Sequence, residues 1–352
     1  MMLLQYWFVI ERIVIISIFA LVLWRVLRSV KRNRANPVAV PKTLGARIGF
    51  SLLYVLRVLG VGLGVFLAVA VFVMVERTIY AVITETMPAP SEVKKPAELS
   101  FEAEEVTFAG GDGLTMVGWK VPSLNGATII LLHGMGGNRT SLLWHARQLV
   151  HAGYGVLLYD ERASGESEGT YRSYGWEDPR DVEGAIRFLE TGSDGASERI
   201  GIAGCSLGAQ IALQSTAYYP EIEAVWADGA SSVLASDLPA TNDPLAAAVV
   251  FGNYALDWSY KLKLGIAAPA PMIEVIGNIA PRPIMLVGGG QPANLMGSEG
   301  DTMIPRYAHY AGSNAQTWVI PEATHCDGPN FRPDEYAERM IEFFDNAFGI
   351  TK

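Results

Sequence analysis

The 352-residue sequence predicts an α/β protein, a doubly wound and mostly parallel sheet preceded by one or two N-terminal transmembrane helices. Three observations predict it. From about Glu104 onward, short β-rich runs alternate with helical patterns. Val58 to Val75 is a run of 18 uncharged, mostly apolar residues. Charge is also split along the chain: nine Lys/Arg face one acid up to Val75, and 18 face 35 Asp/Glu beyond it. A hydrophobic content of 50% excludes a disordered chain, and two cysteines are too few for a disulfide scaffold or a cysteine-rich metal site. The acidic main body would repel phosphates, which argues against nucleic-acid binding.

The N-terminal part points to a membrane. A span needs ~20 apolar residues. Val58 to Val75, with Ile48 to Leu56 ahead of it and Arg57 between, supplies a span over about residues 50–75. An earlier apolar stretch, about residues 3–24, contains Glu11 and Arg12, so an interfacial helix competes there with a span. Between the two lie Arg25, Arg28, Lys31, Arg32, Arg34, Lys42 and Arg47 without any acid. Loops this basic stay in the cytoplasm, so everything after Glu76 is expected on the extracytoplasmic side of the cell membrane. No basic n-region or small-residue cleavage site marks a removable signal peptide. The expected organisation is therefore an anchor over 1–80, a polar linker over 81–103 with Pro88, Pro90 and Pro96, and a globular domain over 104–352.

In the globular part, Leu114 to Val121 alternates like a half-exposed strand. Thr128 to Leu132 and Gly155 to Tyr159 are continuous apolar runs, as strands covered on both faces should be. Arg199 to Cys205, Ala224 to Ala227, Pro283 to Val287 and Thr317 to Ile320 follow as further strands. Helical patterns intervene at Ser141 to Ala152, Trp176 to Glu190, Leu207 to Tyr218, Pro305 to Ala311 and Pro333 to Phe348. Gly229 to Ala280 leaves room for a small helical insertion. In such sheets the chemistry gathers beyond the carboxyl ends of the strands.

Gly204-Cys-Ser-Leu-Gly208 has the form G-x-S-x-G, with an apolar strand before it and a helix after it. That context places Ser206 on a tight strand-to-helix turn, its hydroxyl exposed at a helix N-terminus. A structural glycine turn with an inert serine is the plain alternative. A serine needs a base to activate it and a carboxylate to orient that base. Of the five histidines, His145, His151 and His309 sit on helical patterns and His133 in a glycine-rich loop. His325 follows the late strand in the loop Glu322 to Gly328, in the chain order expected after a serine and an acid. Asp301, in Gly-Asp-Thr-Met-Ile-Pro, is the expected acid, with Glu299 and Asp228 as rivals.

His133-Gly-Met-Gly-Gly137 follows the strand ending at Leu132, so the backbone N–H groups of Met135 and Leu207 are the expected oxyanion donors. A phosphate loop is not expected, because no Lys-Ser/Thr pair completes one. Cys205 and Cys326 flank the serine and the histidine. A disulfide is chemically allowed outside the cytoplasm, but two small buried residues are the preferred reading.

These motifs, together with Asp160-Glu-Arg-Ala-Ser-Gly-Glu-Ser167 and Ala323-Thr-His325, resemble the α/β-hydrolase superfamily over roughly Glu104 to Phe348. The resemblance is to its membrane-anchored, small-lid members, the Bem46-like and serine aminopeptidase-like branches. It implies Ser206 as nucleophile, His325 as base, Asp301 as acid, and Met135 and Leu207 as oxyanion donors. Two departures stand out: Ala163 occupies a position where the family has glycine, and the loop from Gly288 to Gly300 ahead of Asp301 is long. The expected activity is hydrolysis of an ester, thioester or amide through an acyl-enzyme, without metal or organic cofactor. The expected partners are the membrane and a small or lipid-like acyl substrate. The competing readings are a small serine peptidase and a non-catalytic binding domain. Oligomeric state is not encoded in any pattern found.

Overall fold

The computed structural model describes residues 24, 28, 43–93, 101–192, 199–291 and 299–351. The chain divides into two compact units, residues 1–73 and 74–352. In the first unit the described part is chiefly the start of helix α1 (Leu44–Thr86). Within it, Leu59–Thr86 is the one stretch among the described residues long and apolar enough to cross a membrane. Leu59, Leu63, Phe66 and Val71 are exposed along it. The apolar stretch expected over 3–24 lies outside the described residues except for Trp24. Helix α1 continues to Thr86, and Ala89 and Pro90 pair with Ser164 and Gly165. Part of the segment read as linker is therefore regular structure.

The second unit is built on one eight-stranded sheet. Its strands are β1 (Glu104–Ala109), β2 (Thr115–Val121), β3 (Ala127–Leu132), β4 (Gly155–Tyr159), β5 (Arg199–Cys205), β6 (Ile222–Asp228), β7 (Ile284–Gly289) and β8 (Ala315–Ile320). They lie in the order β1-β2-β4-β3-β5-β6-β7-β8. Strand β2 pairs antiparallel with β1 and β4, and all pairs from β4 to β8 are parallel. Every residue of β3 and β4 is buried, which is why both run apolar without alternation. Successive side chains still go to opposite faces. Ile129 and Leu131 pack under α2 (Leu143–His151) and the C-terminal helix (Pro333–Phe348), while Ile130 and Leu132 pack under α3 (Asp178–Thr191) and α4 (Leu207–Tyr218).

Residues 229–280 hold helix α5 (Pro244–Leu264), the insertion expected there. Its Tyr260 is buried and stacks on Tyr174 at 5.2 Å between ring centres. Helix α6 (Ile304–Ala311) and helix α7 (Pro333–Phe348) flank β8. The α2 helix starts two residues later than the pattern predicts. A 3₁₀ turn over Arg139–Leu142 precedes it, where the Asn138 side chain accepts from the Thr140 N–H.

The loop Asp160–Ser167 is held by buried ions. Arg139 donates to Asp160 and Glu166. Arg162 makes a two-point contact with Asp181, at 2.7 and 2.9 Å, and also reaches Glu177 at 3.0 Å. Burial raises the Asp181 carboxyl to about 7 against the pull of that guanidinium. Ala163 has φ +55°, a left-handed conformation that glycine adopts more readily than alanine.

Candidate active site

The sheet register brings the strand ends together: Leu132 lies beside Gly204, Cys205 beside Asp228, and Asp228 beside Val287. At the end of β5 the chain turns through Ser206, at φ +58° and ψ −118°, directly into the twelve-residue helix α4. The flanking glycines make that bend possible by close packing: a Cβ on Gly208 would stand 2.2 Å from the Leu132 carbonyl oxygen. The Ser206 N–H donates to the Asp228 carbonyl at 2.8 Å, tying the bend to β6. Leu207 opens the helix, so its N–H belongs to the positive end of the macrodipole.

The loop after β3 lies against this bend, where a Cβ on Gly134 would be 3.4 Å from the Ser206 Cβ. His133 is buried and holds the loop: Nδ1–H donates to the Gly134 carbonyl at 2.8 Å, and Nε2 accepts the Glu161 N–H at 3.0 Å. This pattern requires a neutral ring, and burial lowers its pKa in the same direction. No acceptor among the described residues takes the N–H of Met135 or Leu207.

His325 sits in the turn after β8. Its Nε2 is 2.9 Å from Ser206 Oγ, and its Nδ1 is 3.5 Å from Asp301 Oδ1. The second distance is that of an ion pair rather than a formed hydrogen bond. Neither Asp301 oxygen, both of them buried, has a hydrogen-bond partner among the described residues. Asp301 beside the ring raises the His325 pKa above its usual 6.5; burial opposes this, and the Asp228 charge adds to it. Gly229, at φ +67°, makes room for the imidazole, since a Cβ there would lie 2.6 Å from the ring.

The rival acids sit differently. The Asp228 carboxylate accepts from the Tyr336 hydroxyl at 2.8 Å, which itself accepts from the Trp226 indole N–H at 2.9 Å. Burial raises Asp228 to about 6. Glu299 opens the short helix Glu299–Thr302 that contains Asp301, and it is described in its backbone alone. Of the loop from Gly288 to Gly300, residues 292–298 lie outside the described residues.

The other histidines take no part in this cluster. His145 is half-buried between aromatic rings, with its pKa lowered to about 4 by desolvation, and His151 and His309 are exposed.

One preferred sequence reading is overturned, and one feature has no sequence signal. Cys205 and Cys326 are joined by a disulfide, with their Cα atoms 6.0 Å apart, rather than being two separate buried thiols. Their positions beside Ser206 and His325 were the available signal. The Arg172 guanidinium donates to the carbonyls of Thr84 and Met87, each at 2.6 Å, and so caps the end of α1; nothing in the sequence singles it out. Close to this end, a cavity of about 510 Å³ is lined by Tyr174, Ser232, Leu234, Asp257 and Tyr260, with Glu85 of α1. Another of about 510 Å³ lies between Ile79 and Val82 of α1 and Trp258 and Leu262 of α5. No cluster of metal-ligating side chains occurs among the described residues.

Comparison with known proteins bears on the family and the fold. A family model described as "Alpha/beta hydrolase family" matches residues 129–339. The uncharacterized protein YfhR of Escherichia coli is 26% identical over 260 residues, covering 70% of this chain and 82% of YfhR. Among solved structures, the esterase Pf2001 of Pyrococcus furiosus is similar with TM-score 0.59 and 24% identity, over 74% of this chain and 98% of the esterase. A dienelactone hydrolase from Anabaena variabilis is similar with TM-score 0.51 and 18% identity, over 70% of this chain and 99% of its own.

Proposed function

The chain belongs to the alpha/beta hydrolase family, and from that premise we propose that it is a membrane-anchored serine hydrolase cleaving an ester, thioester or amide. One observation carries the reading: the 2.9 Å approach of His325 Nε2 to Ser206 Oγ at a strand-to-helix bend. In this proposal His325 takes the hydroxyl proton as Ser206 attacks the substrate carbonyl, and Asp301 holds the ring with Nδ1–H toward its carboxylate. The tetrahedral oxyanion forms beside the N–H groups of Met135 and Leu207, where one donor is worth ~3 kcal/mol in the transition state. The imidazolium then protonates the leaving group, and water, activated by the same ring, releases the acyl group.

The substrate is proposed to be a small or lipid-like acyl compound, in keeping with a chain whose helix α1 is long and apolar enough to cross a membrane. The esterase among the similar folds favours an oxygen ester over an amide. The anchor is proposed to be α1, and the basic residues ahead of it favour an extracytoplasmic catalytic domain.

The test uses the full chain in detergent. A fluorophosphonate probe is expected to label it, and Ser206→Ala to abolish labelling together with turnover of p-nitrophenyl esters. Continued labelling of the alanine variant would remove Ser206 from the mechanism. Turnover of aminoacyl anilides in place of esters would assign the protein to the peptidases. Protease digestion in intact cells is expected to reach the C-terminal domain; protection there would reverse the orientation.

A further inference from the structure

Cys205 and Cys326 are covalently joined across 121 residues of chain, and each is the immediate neighbour of one reacting group. Cys205 precedes Ser206, and Cys326 follows His325. The bond therefore ties the bend that presents the hydroxyl to the turn that presents the imidazole. The two segments come from distant strands, β5 and β8, with β6 and β7 between them in the sheet. Both also contain backbone that resists its own conformation: Ser206 at φ +58° and Cys326 at φ +55° are non-glycine residues in the left-handed region. Such residues persist only where their surroundings hold them. Turn bonds from the Ala323 N–H to the Ile320 carbonyl and from the Asp327 N–H to the Thr324 carbonyl shape the histidine turn locally. The disulfide supplies a covalent restraint from that turn to the serine bend.

We propose that the Cys205–Cys326 disulfide is a positioning device for the Ser206–His325 pair, so that full hydrolytic turnover requires both cysteines to be oxidised to one bond. This inference rests on the serine hydrolase reading above. A displacement of ~1 Å between reacting groups can cost about 100-fold in rate, so a bond that fixes their separation acts on kcat rather than on substrate affinity. Closing the bond removes two protons and two electrons from the Cys205 and Cys326 thiols. An external disulfide takes them up by thiol–disulfide exchange and becomes two thiols. Such oxidants prevail outside the cytoplasm, which links the device to the side of the membrane proposed for this domain. Both cysteines are only partly buried, so small reagents have a route to the bond.

The experiment compares the purified full chain before and after treatment with a water-soluble phosphine. The reagent converts the bond to two thiols and itself becomes the phosphine oxide, with oxygen and protons from water. Thiol titration, near-ultraviolet circular dichroism, p-nitrophenyl ester kinetics and the pH profile are read together, with Ser206→Ala as reference. Reduction is expected to expose two thiols, to lower kcat at least tenfold with KM changed less than threefold, and to move the acidic limb of the profile as the His325 environment relaxes. Reoxidation is expected to restore all three. The double variant Cys205→Ala/Cys326→Ala should match the reduced state.

A reduced, folded protein with unchanged kcat and pH profile would overturn the proposal while leaving the hydrolase reading intact. Two titratable thiols before any reductant, or loss of the near-ultraviolet signal on reduction, would overturn it as well. An active Ser206→Ala protein would instead sink the reading on which it rests.

Discussion

The Tyr336 hydroxyl donates to the buried Asp228 carboxylate at 2.8 Å, so the acid at the end of β6 has a partner on the C-terminal helix, while Asp301 turns to His325. This separates the two acids by experiment. Asp301→Asn is expected to lower kcat by roughly 10³–10⁴-fold, the scale seen when a base loses its orienting carboxylate. Asp228→Asn keeps an acceptor for Tyr336 and should stay within about tenfold of the parent, since the side-chain change leaves the Ser206 N–H bond to the backbone carbonyl in place. Steady-state ester kinetics on both variants decide the assignment.

Tyr336→Phe leaves the Asp228 carboxylate buried without that donor. An unsatisfied buried acceptor costs ~1–3 kcal/mol. A lowered melting temperature with near-parent kcat is therefore expected from thermal denaturation and kinetics run side by side.

The raised pKa of His325 fixes the sign of a pH effect. In the proposed mechanism His325 must be neutral to accept the serine proton, so kcat/KM should fall as pH drops through a value above 6.5. Asp301→Asn removes the largest cause of that shift and should move the acidic limb to lower pH. The stability contributed by the shift is fully present below the unfolded value of about 6.5 and is lost as pH rises through the folded value.

Gly229→Ala is expected to harm catalysis out of proportion to its size. The new methyl would lie 2.6 Å from the His325 ring, at a residue whose φ of +67° already disfavours side chains. A loss of kcat above tenfold, measured at constant temperature well below the melting transition, is expected.

Arg162→Ala strips the two-point contact from Asp181, which stays buried with Glu177 close by. Removing one partner of a buried ion pair costs ~3–5 kcal/mol. Chemical denaturation should register a loss on that scale.

Much of this molecule was legible because its signals are local. Continuous apolar runs bounded by glycine marked β3 and β4, and Pro333–Phe348 forms the helix its periodicity predicts; Leu207–Tyr218 is also a helix, but it is buried nearly all round rather than on one face. Ser206 was legible because the glycines around it serve a steric need that only that bend imposes. The His325 position followed from chain order, and the structure brings it to Ser206. What stayed hidden depends on contacts between distant segments. The Cys205–Cys326 bond was only hinted at by the places of the two cysteines beside Ser206 and His325, and no local pattern reports that Tyr336 engages Asp228 or that Arg172 finds the end of α1. Glu85 and Thr86 look like linker in sequence, but helix α1 carries through them, where Arg172 caps its end.

The grip of Arg172 on Thr84 and Met87 has a practical corollary. Removing helix α1 by a cut in the 94–100 stretch would take away the two carbonyls this guanidinium holds, and with them the edge pairing of Ala89 and Pro90. The remaining fragment would keep the Arg172 guanidinium beside the Gly136 loop without those acceptors, so the loop that follows β3 would lose a neighbour held in place from the far side.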